Sequence, residues 1–453
     1  MGPVPSPFLA YDIRGMVPAQ LNEELAFELG LAYCDVVGAR STVVGRDIRL
    51  SSRGLAEALM DGLSEGGSDV LDIGLCGTEQ VYFATPYLGA DGGIMVTASH
   101  NPRDHNGFKL VKRGSVPMHG GNGLFDLRDR LLSGSLKRSS VKGKVLEREI
   151  TEPYLDKLVS FLGDRTSLSG FKLAADPGNG CAGPVLSMLE ERLDLDLVKV
   201  RFEPDGSFPS GVPNPILPEN RKYVTEAMMR SGADVGMAWD GDFDRCFLFD
   251  ENGAFTEGYY IVGLLAQRML EGMPGGKVVH DTRLVWNTRE LVLGAGGVPL
   301  MNRTGHAFIK DRMRSEDAVY GGEMSAHHYF RDFYYCDTGM VPWLLVLEIM
   351  ARQGKGLSEL LGAMQARYPV SGEINRKVAD PAAAIERVEG RFGSGAVSVD
   401  LTDGISIEHE MFRINVRASN TEPLIRLNVE TRGDRELLGT VTDEGLSLIE
   451  MRS

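Results

Sequence analysis

Three times along the chain an apolar run ends in aspartate and opens into a loop and a helix-forming segment: TVVGRD at 42–47, FKLAADP at 171–177 and KVVHDT at 277–282. Short β-rich runs alternating with longer amphipathic stretches are the pattern of strand-helix-strand units on mainly parallel sheets. The recurrence of one ending points to three related α/β units. In the first, DVLDIG (69–74) and GGIMVTAS (92–99) read as further strands, with helices over 22–37, 51–65 and 79–88. A polar Gly- and Ser-rich stretch from Gly114 to about Val145 marks its edge. The second unit continues through a helix near Pro184 to the strand ADVGMAWD (233–240) and a hairpin turn at Asn252-Gly253. The third adds GVPLMNRT (297–304) and AVYGGEMSAHHYF (318–330).

From about residue 370 the pattern changes. SGEINRKVA, AVSVDLTDGISIEH, FRINVRAS and IRLNVETRG read as strands, with helices near 381–392 and 435–450. The predicted fold is therefore α/β with four domains, three related mixed α/β domains and a C-terminal α+β domain, around a central cleft. The expected boundaries are 1–148, 149–253, 254–367 and 368–453, which suit a chain of 453 residues.

Charge narrows the ligands. With 48 Lys plus Arg against 63 Asp plus Glu, the formal charge is −15. That argues against a nucleic-acid partner, so any anionic ligand must meet local positive charge. Five cysteines, far apart and without a CxxC pair, read as reduced thiols of a cytoplasmic protein. The apolar run MVPWLLVLEIM (340–350) is too short to span a bilayer and carries Glu348, so it reads as a buried helix, with no membrane partner expected. The first residues show neither a basic start nor a long apolar run, and no signal peptide is expected. The oligomeric state is open between monomer and dimer.

Four clusters carry chemistry. TASHNPRDHNGFKL (97–110) follows a strand, where open α/β sheets place ligands, and sets the Ser99 hydroxyl among His100, Arg103 and Lys109. A plain Asn-Pro turn explains the same residues. DGDFDR (240–245) brings Asp240, Asp242 and Asp244 to alternate positions of a tight loop, suited to one hard divalent cation such as Mg²⁺. A calcium loop of the EF-hand type would need Gly where Arg245 stands. Arg245 itself is a candidate phosphate or metal-shell contact. In GGEMSAHHYF (321–330), Glu323, Ser325 and His327 alternate; if extended, they share a face and can bond sugar hydroxyls, though a half-buried strand edge alternates likewise. In RASNTEPLIR (417–426), Arg417, Ser419, Asn420 and Thr421, with Arg426, can cradle a phosphate, or form an ordinary turn. GNGCAG (178–183) matches G-x-G-x-x-G, but Pro184 and its mid-chain place argue against a dinucleotide site.

Taken together and in this order, the clusters resemble the α-D-phosphohexomutase superfamily along the whole chain. TASHNP looks like its phosphoserine loop, DGDFDR its magnesium loop, GEMSAH its sugar loop and RASNTEP its phosphate loop. Gly-Glu-Met-Ser is similar to the phosphomannomutase and phosphoglucomutase branch. EGYYIVGLLA, RTGHAFIKDRMR and GGEMSAHHYFRDF resemble bacterial phosphomannomutases that supply mannose 1-phosphate for GDP-mannose.

The resemblance implies that Ser99 holds the phosphoryl group, and that Asp240, Asp242 and Asp244 bind Mg²⁺ with an oxygen on Ser99. It makes Arg14 and Lys109 flank the reacting oxygens, with His306 a candidate general acid or base. Glu323 and Ser325 would hold sugar hydroxyls beside His327, and Arg417, Ser419, Asn420 and Thr421 the phosphate that does not react. The implied reaction interconverts mannose 6-phosphate and mannose 1-phosphate through a hexose 1,6-bisphosphate, which also serves as activator. Glucose phosphates are alternative substrates. Two positions depart from the family pattern: Arg283 stands where many relatives have Lys, and Ala326 where they have Gly. Arg283 remains a candidate substrate contact, while His328 is an extra histidine. Two rivals stay open: an aspartyl-phosphate phosphatase using Asp240, and a catalytically silent sugar-phosphate binder.

Overall fold

Asn22 starts the first helix because its side chain accepts the Leu25 amide at 2.9 Å, and Gly38, at φ 69°, ends it in the left-handed region. Local signals of this kind delimit most elements. The computed structural model describes residues 7–163, 167–418 and 424–451. Its contacts divide the chain into two compact units: Met1–Phe255 with His327–Gly354, and Thr256–Ala326 with Lys355–Ser453.

The chain begins with β1 (Ile13–Met16), α1 (Glu23–Val37), β2 (Ser41–Arg46), α2 (Ser52–Glu65), β3 (Asp69–Leu75), α3 (Thr78–Tyr87), β4 (Gly92–Val96) and β5 (His105–Lys112). Then come β6 (Val116–Pro117), α4 (Leu124–Leu132) and β7 (Val145–Glu147). The sheet runs β1-β5-β4-β2-β3-β7, with β6 beside β5. β2 is parallel to β3 and β4, and β4 is antiparallel to β5. Leu29, Tyr33, Leu55, Leu59, Val44 and Ile94 form the core between α1, α2 and this sheet.

The next segment holds α5 (Thr151–Val159), β8 (Lys172–Asp176), α6 (Ala182–Leu193), β9 (Asp196–Lys199), α7 (Lys222–Ser231), β10 (Val235–Trp239) and β11 (Cys246–Phe249). Its sheet runs β11-β10-β8-β9, with β8 parallel to both β9 and β10, and β10 antiparallel to β11. In the second unit, α8 (Gly258–Leu270) leads to β12 (Lys277–His280), α9 (Trp286–Gly294), β13 (Val298–Met301), α10 (His306–Glu316) and β14 (Tyr320–Gly322). β12 is parallel to β13 and β14.

The antiparallel pair β15 (His328–Phe330) and β16 (Cys336–Asp337), and the buried helix α11 (Val341–Gln353), belong to the first unit. After α12 (Leu357–Arg367), the second unit closes with β17 (Ile374–Lys377), α13 (Pro381–Phe392), β18 (Ser398–Asp400), β19 (Ile405–Glu408), β20 (Phe412–Ala418), β21 (Leu424–Thr431) and α14 (Arg435–Glu450). This last sheet is antiparallel in the order β17-β21-β20-β19-β18, and Val388, Phe392, Ile414, Leu427 and Val441 pack between it and its helices. The α+β character of the C-terminal part follows from this order.

The three α/β segments share one plan: a first strand (β2, β8, β12) flanked in parallel by the second (β3, β9, β13) and the third (β4, β10, β14). In each, the loop after the third strand carries candidate residues. Each of these loops also bends through one non-glycine residue at positive φ: Ser99 at 51°, Phe243 at 45° and Ala326 at 67°.

Several expectations are corrected. The segment 323–327 is a turn, not a strand, so Glu323, Ser325 and His327 do not share a strand face. GGIMVTAS ends as a strand at Val96. The polar stretch after Gly114 contains α4, and the Asn252-Gly253 turn closes only a single bridge, Phe249 to Phe255. No helix among the described residues is long and apolar enough to cross a membrane. The five cysteines are all buried, and none is joined in a disulfide.

Candidate active site

In the first unit the loop after β4 meets the loop after β10. Ser99 Oγ donates to Asp240 Oδ2 at 2.8 Å and lies 3.0 Å from His100 Nδ1. Asp240, Asp242 and Asp244 are buried, and each can offer an oxygen within 4.8 Å of the others. Such crowding of carboxylates is costly unless cations offset it. Lys109, on β5, supplies one, its Nζ 2.7 Å from Asp242 Oδ2 and 2.5 Å from Asp244 Oδ2. Arg245 supplies a second, with Nε and Nη2 donating to Asp240 Oδ2 at 2.9 and 2.7 Å. Burial opposes the Asp242 charge, but Lys109 more than offsets it and holds that carboxyl below the usual range. Burial and the neighbouring Asp242 and Asp240 push Asp244 up to about 6.

Asp242 Oδ1 and Asp244 Oδ1 are buried and accept no hydrogen bond from the described residues. Oxygen donors of three carboxylates, two with an unused oxygen, fit a hard divalent cation such as Mg²⁺. The loop is braced from α3. Thr78 donates through its amide to the Asp242 carbonyl at 3.0 Å and through Oγ1 to Asp242 Oδ2 at 2.5 Å. A Cβ on Gly77 would stand 2.2 Å from the Phe243 ring, so only glycine lets α3 approach this closely.

Arg14, on β1, donates to the Ala98 carbonyl at 3.0 Å and to Asn101 Oδ1 at 2.5 Å, and pairs with Asp12 at 2.7 Å. Burial and the cations Arg245 and Arg14 push His100 well below its ordinary value, so its ring is neutral and Nδ1 accepts from Arg245 Nη2 at 2.5 Å. His327 belongs to this unit too. Its Nδ1 lies 3.0 Å from Asp337 Oδ2, and with Asp244 these residues form a second group of potential ligands.

The second unit assembles a different set. Arg283 is buried, with Nε and Nη2 donating to Asp281 Oδ2 at 3.1 and 2.6 Å, Nη2 to Ser325 Oγ at 3.1 Å and Nη1 to Glu373 at 3.2 Å. Glu323 Oε1 accepts the Gly305 amide at 2.9 Å, just before His306 opens α10. Glu373 also draws in Arg417 at 3.4 Å and Arg426 at 3.2 Å. Among the described residues, the buried Nε atoms of Arg417 and Arg426 have no hydrogen-bond acceptor, which leaves donors for an anion. Ser419, Asn420 and Thr421 lie outside the described residues.

Sequence reasoning singled out neither Asp47 and Arg49 nor Thr78, Glu79, Asp337 and Glu373. One signal for the first pair was present: Asp47-Ile48-Arg49 and Asp281-Thr282-Arg283 follow the first strand of two related units.

Models of phosphoglucomutase/phosphomannomutase alpha/beta/alpha domains I, II and III match residues 6–120, 152–253 and 257–368, and the model of the C-terminal domain matches 373–445. The chain is 51% identical over 449 residues to a phosphomannomutase of Salmonella montevideo, covering 98% of both chains. It is 52% identical over 442 residues to a protein named phosphohexose mutases from Xanthomonas campestris, again covering 98% of both. A crystal structure of a phosphoglucomutase/phosphomannomutase family protein from Burkholderia thailandensis is similar with a TM-score of 0.87 at 32% identity, over 98% of this chain and 97% of that one.

Proposed function

Since the chain belongs to the phosphoglucomutase/phosphomannomutase family, we propose that it interconverts mannose 6-phosphate and mannose 1-phosphate, with Ser99 as the phosphoryl carrier. The protein is an isomerase of the intramolecular phosphotransferase kind. The observation that carries the assignment to Ser99 is its Oγ, 2.8 Å from Asp240 in a loop of three buried carboxylates, two of which hold an unused oxygen.

On this reading O1 of the 6-phosphosugar attacks phosphorus on phosphorylated Ser99. The P–O1 bond forms, the P–Oγ bond breaks, and the proton of O1 leaves to a base while Oγ remains beside Asp240. The 1,6-bisphosphate then turns over, Oγ attacks its 6-phosphorus, the P–Oγ bond re-forms as the P–O6 bond breaks, and O6 takes the proton back from the base, releasing mannose 1-phosphate. Asp240, Asp242 and Asp244 would hold Mg²⁺, whose charge neutralises the transferring phosphoryl oxygens. Arg14 and Lys109 orient and neutralise the same group. Arg283 sets Ser325 and Glu323 for the sugar hydroxyls. Arg417 and Arg426 offer donors to the phosphate that does not react, and His306 and His327 are the candidate proton carriers. Arg245 is committed to Asp240 and His100, so its part is to fix that carboxylate. We further propose a cytoplasmic location and a role in supplying GDP-mannose synthesis.

Turnover of glucose phosphates is the nearest alternative, and the ratio of kcat/KM for mannose 1-phosphate and glucose 1-phosphate decides it. The phosphatase reading is disfavoured because Asp240 Oδ2 already accepts Ser99 and two Arg245 nitrogens. Mapping the phosphoryl group by mass spectrometry tests both: label on Ser99 is expected, and an acyl phosphate on Asp240 would reject the mutase mechanism.

A further inference from the structure

Arg49 is buried in the loop after β2, and its terminal N–H groups are all spent on one stretch of backbone. Nη1 donates to the carbonyls of Pro102 at 2.8 Å and His105 at 2.9 Å. Nη2 donates to the carbonyls of Ser99 at 2.8 Å and Asn101 at 2.7 Å. A chain left to itself splays its carbonyl oxygens toward water; here four of them turn inward onto one cation.

The carboxylate of Asp47 backs the arrangement. Its Oδ1 accepts the Arg49 amide at 3.0 Å and Ser52 Oγ at 2.5 Å, and Oδ2 accepts Thr97 Oγ1 at 2.7 Å. Thr97 Oγ1 in turn accepts the Ser99 amide at 2.8 Å. Ser99 is thus gripped on both sides of its Cα, through N–H by Thr97 and Asp47 and through C=O by Arg49. It is also the loop residue at φ 51°, a conformation that an L side chain adopts only when its surroundings enforce it.

We propose that Arg49, braced by Asp47, is a positioning residue for phosphoryl transfer: it enforces the left-handed backbone at Ser99 and so fixes the direction of Oγ. The proposal rests on Ser99 being the phosphoryl carrier. The same device recurs within the chain. Arg283 donates its amide to Asp281 Oδ1 at 2.9 Å and reaches, from the loop after β12, to Ser325 in the loop after β14. An Asp-x-Arg step after the first strand therefore serves the functional loop after the third strand in two of the three related units. At position 49 lysine cannot replace arginine, because one ammonium with three protons cannot span four carbonyls in fixed directions.

The test compares Arg49→Lys and the near-isosteric Thr97→Val with the unaltered full chain, in Mg²⁺ with glucose 1,6-bisphosphate. Steady-state rates with mannose 1-phosphate, Ser99 phosphorylation in a single turnover and thermal melting are measured together. A displacement of Oγ on the scale of 1 Å predicts a fall in kcat of about 100-fold. KM should stay within about threefold, and Ser99 phosphorylation should slow with kcat. If Arg49→Lys melts like the unaltered protein and keeps kcat within about threefold, the positioning role is overturned. Should Arg49→Lys fail to fold, Thr97→Val carries the test, with kcat expected to fall at least about tenfold at unchanged KM; an unchanged kcat overturns the proposal. Phosphate on a residue other than Ser99 in the unaltered protein rejects the functional reading itself, whatever Arg49→Lys does.

Discussion

A serine in the left-handed region costs about 1–2 kcal/mol relative to its ordinary backbone, and Ser99 bears that cost with Oγ against Asp240. Replacing it tests the chemistry with little damage to the fold. Ser99→Ala should lower kcat at least about 1,000-fold while changing unfolding stability by only about 1 kcal/mol; turnover within tenfold of the unaltered enzyme would remove Ser99 from the mechanism. Lys109 makes a complementary case. Its ammonium stands between Asp242 and Asp244, so Lys109→Met leaves buried carboxylates unpaired, a loss of about 3–5 kcal/mol. Mg²⁺ can make up part of that charge, so the melting temperature of Lys109→Met should fall further in chelator than in excess Mg²⁺. An equal fall in both would show that the cation does not reach these carboxylates. At this scale the sequence is a good guide to charged residues at alternate positions, because Asp240, Asp242 and Asp244 lie in one short loop. It is a poor guide to Glu373, which meets Arg283, Arg417 and Arg426 only through tertiary folding.

At the scale of elements, α3 and α11 meet through one carboxylate. Glu79 accepts Tyr154 Oη and Thr338 Oγ1, both at 2.7 Å, and the amides of Gly339 and Met340 at the start of α11 at 2.6 and 3.2 Å. Burial pushes its carboxyl from the ordinary 4.5 up to about 8, against the pull of those donors. The folded state thus retains a proton that the unfolded state releases. The associated stability is fully present below the unfolded value and drains away as pH rises toward about 8. Denaturant unfolding over that window should show stability falling with pH by at most about 1.4 kcal/mol per unit, and Glu79→Gln should flatten the slope; an unchanged slope would assign the dependence elsewhere. Elements with strong local signals, such as α1, α13 and α14 with their side-chain caps, were readable in advance. β1 and β5 were not, because their mixed runs IRGM and HNGFKLVK become strands only by pairing with each other and, for β5, with β4. The turn at 323–327 was hidden for a related reason: Ala326 adopts φ 67°, which an alternating sequence does not announce.

For the whole molecule, the formal charge of −15 sets anionic substrates a problem that only local cations solve. In the first unit Arg14, Lys109 and Arg245 gather around the acidic loop; in the second, Arg283, Arg417 and Arg426 gather around Glu373. If Mg²⁺ binds the folded chain at the acidic loop, it must stabilise the whole fold. At a concentration 100 times its Kd the gain is about 2.7 kcal/mol. The rise in melting temperature on adding Mg²⁺ should disappear in Asp244→Asn, and a rise that survives would locate the cation elsewhere. Three similar domains and a fourth of another kind were legible because the strand endings repeat and the pattern then changes. What could not be read was the address those copies share, since equivalence of the loops after β4, β10 and β14 depends on strand order. That shared address divides the chemistry among three loops. The same loop position in three similar domains carries Ser99 in one, the three carboxylates in the next and Glu323 with Ser325 in the third. The residues proposed for the sugar and those proposed for phosphoryl transfer therefore stand on separate stretches of chain, and a substitution in the loop after β14 leaves Ser99 and the three carboxylates themselves unaltered.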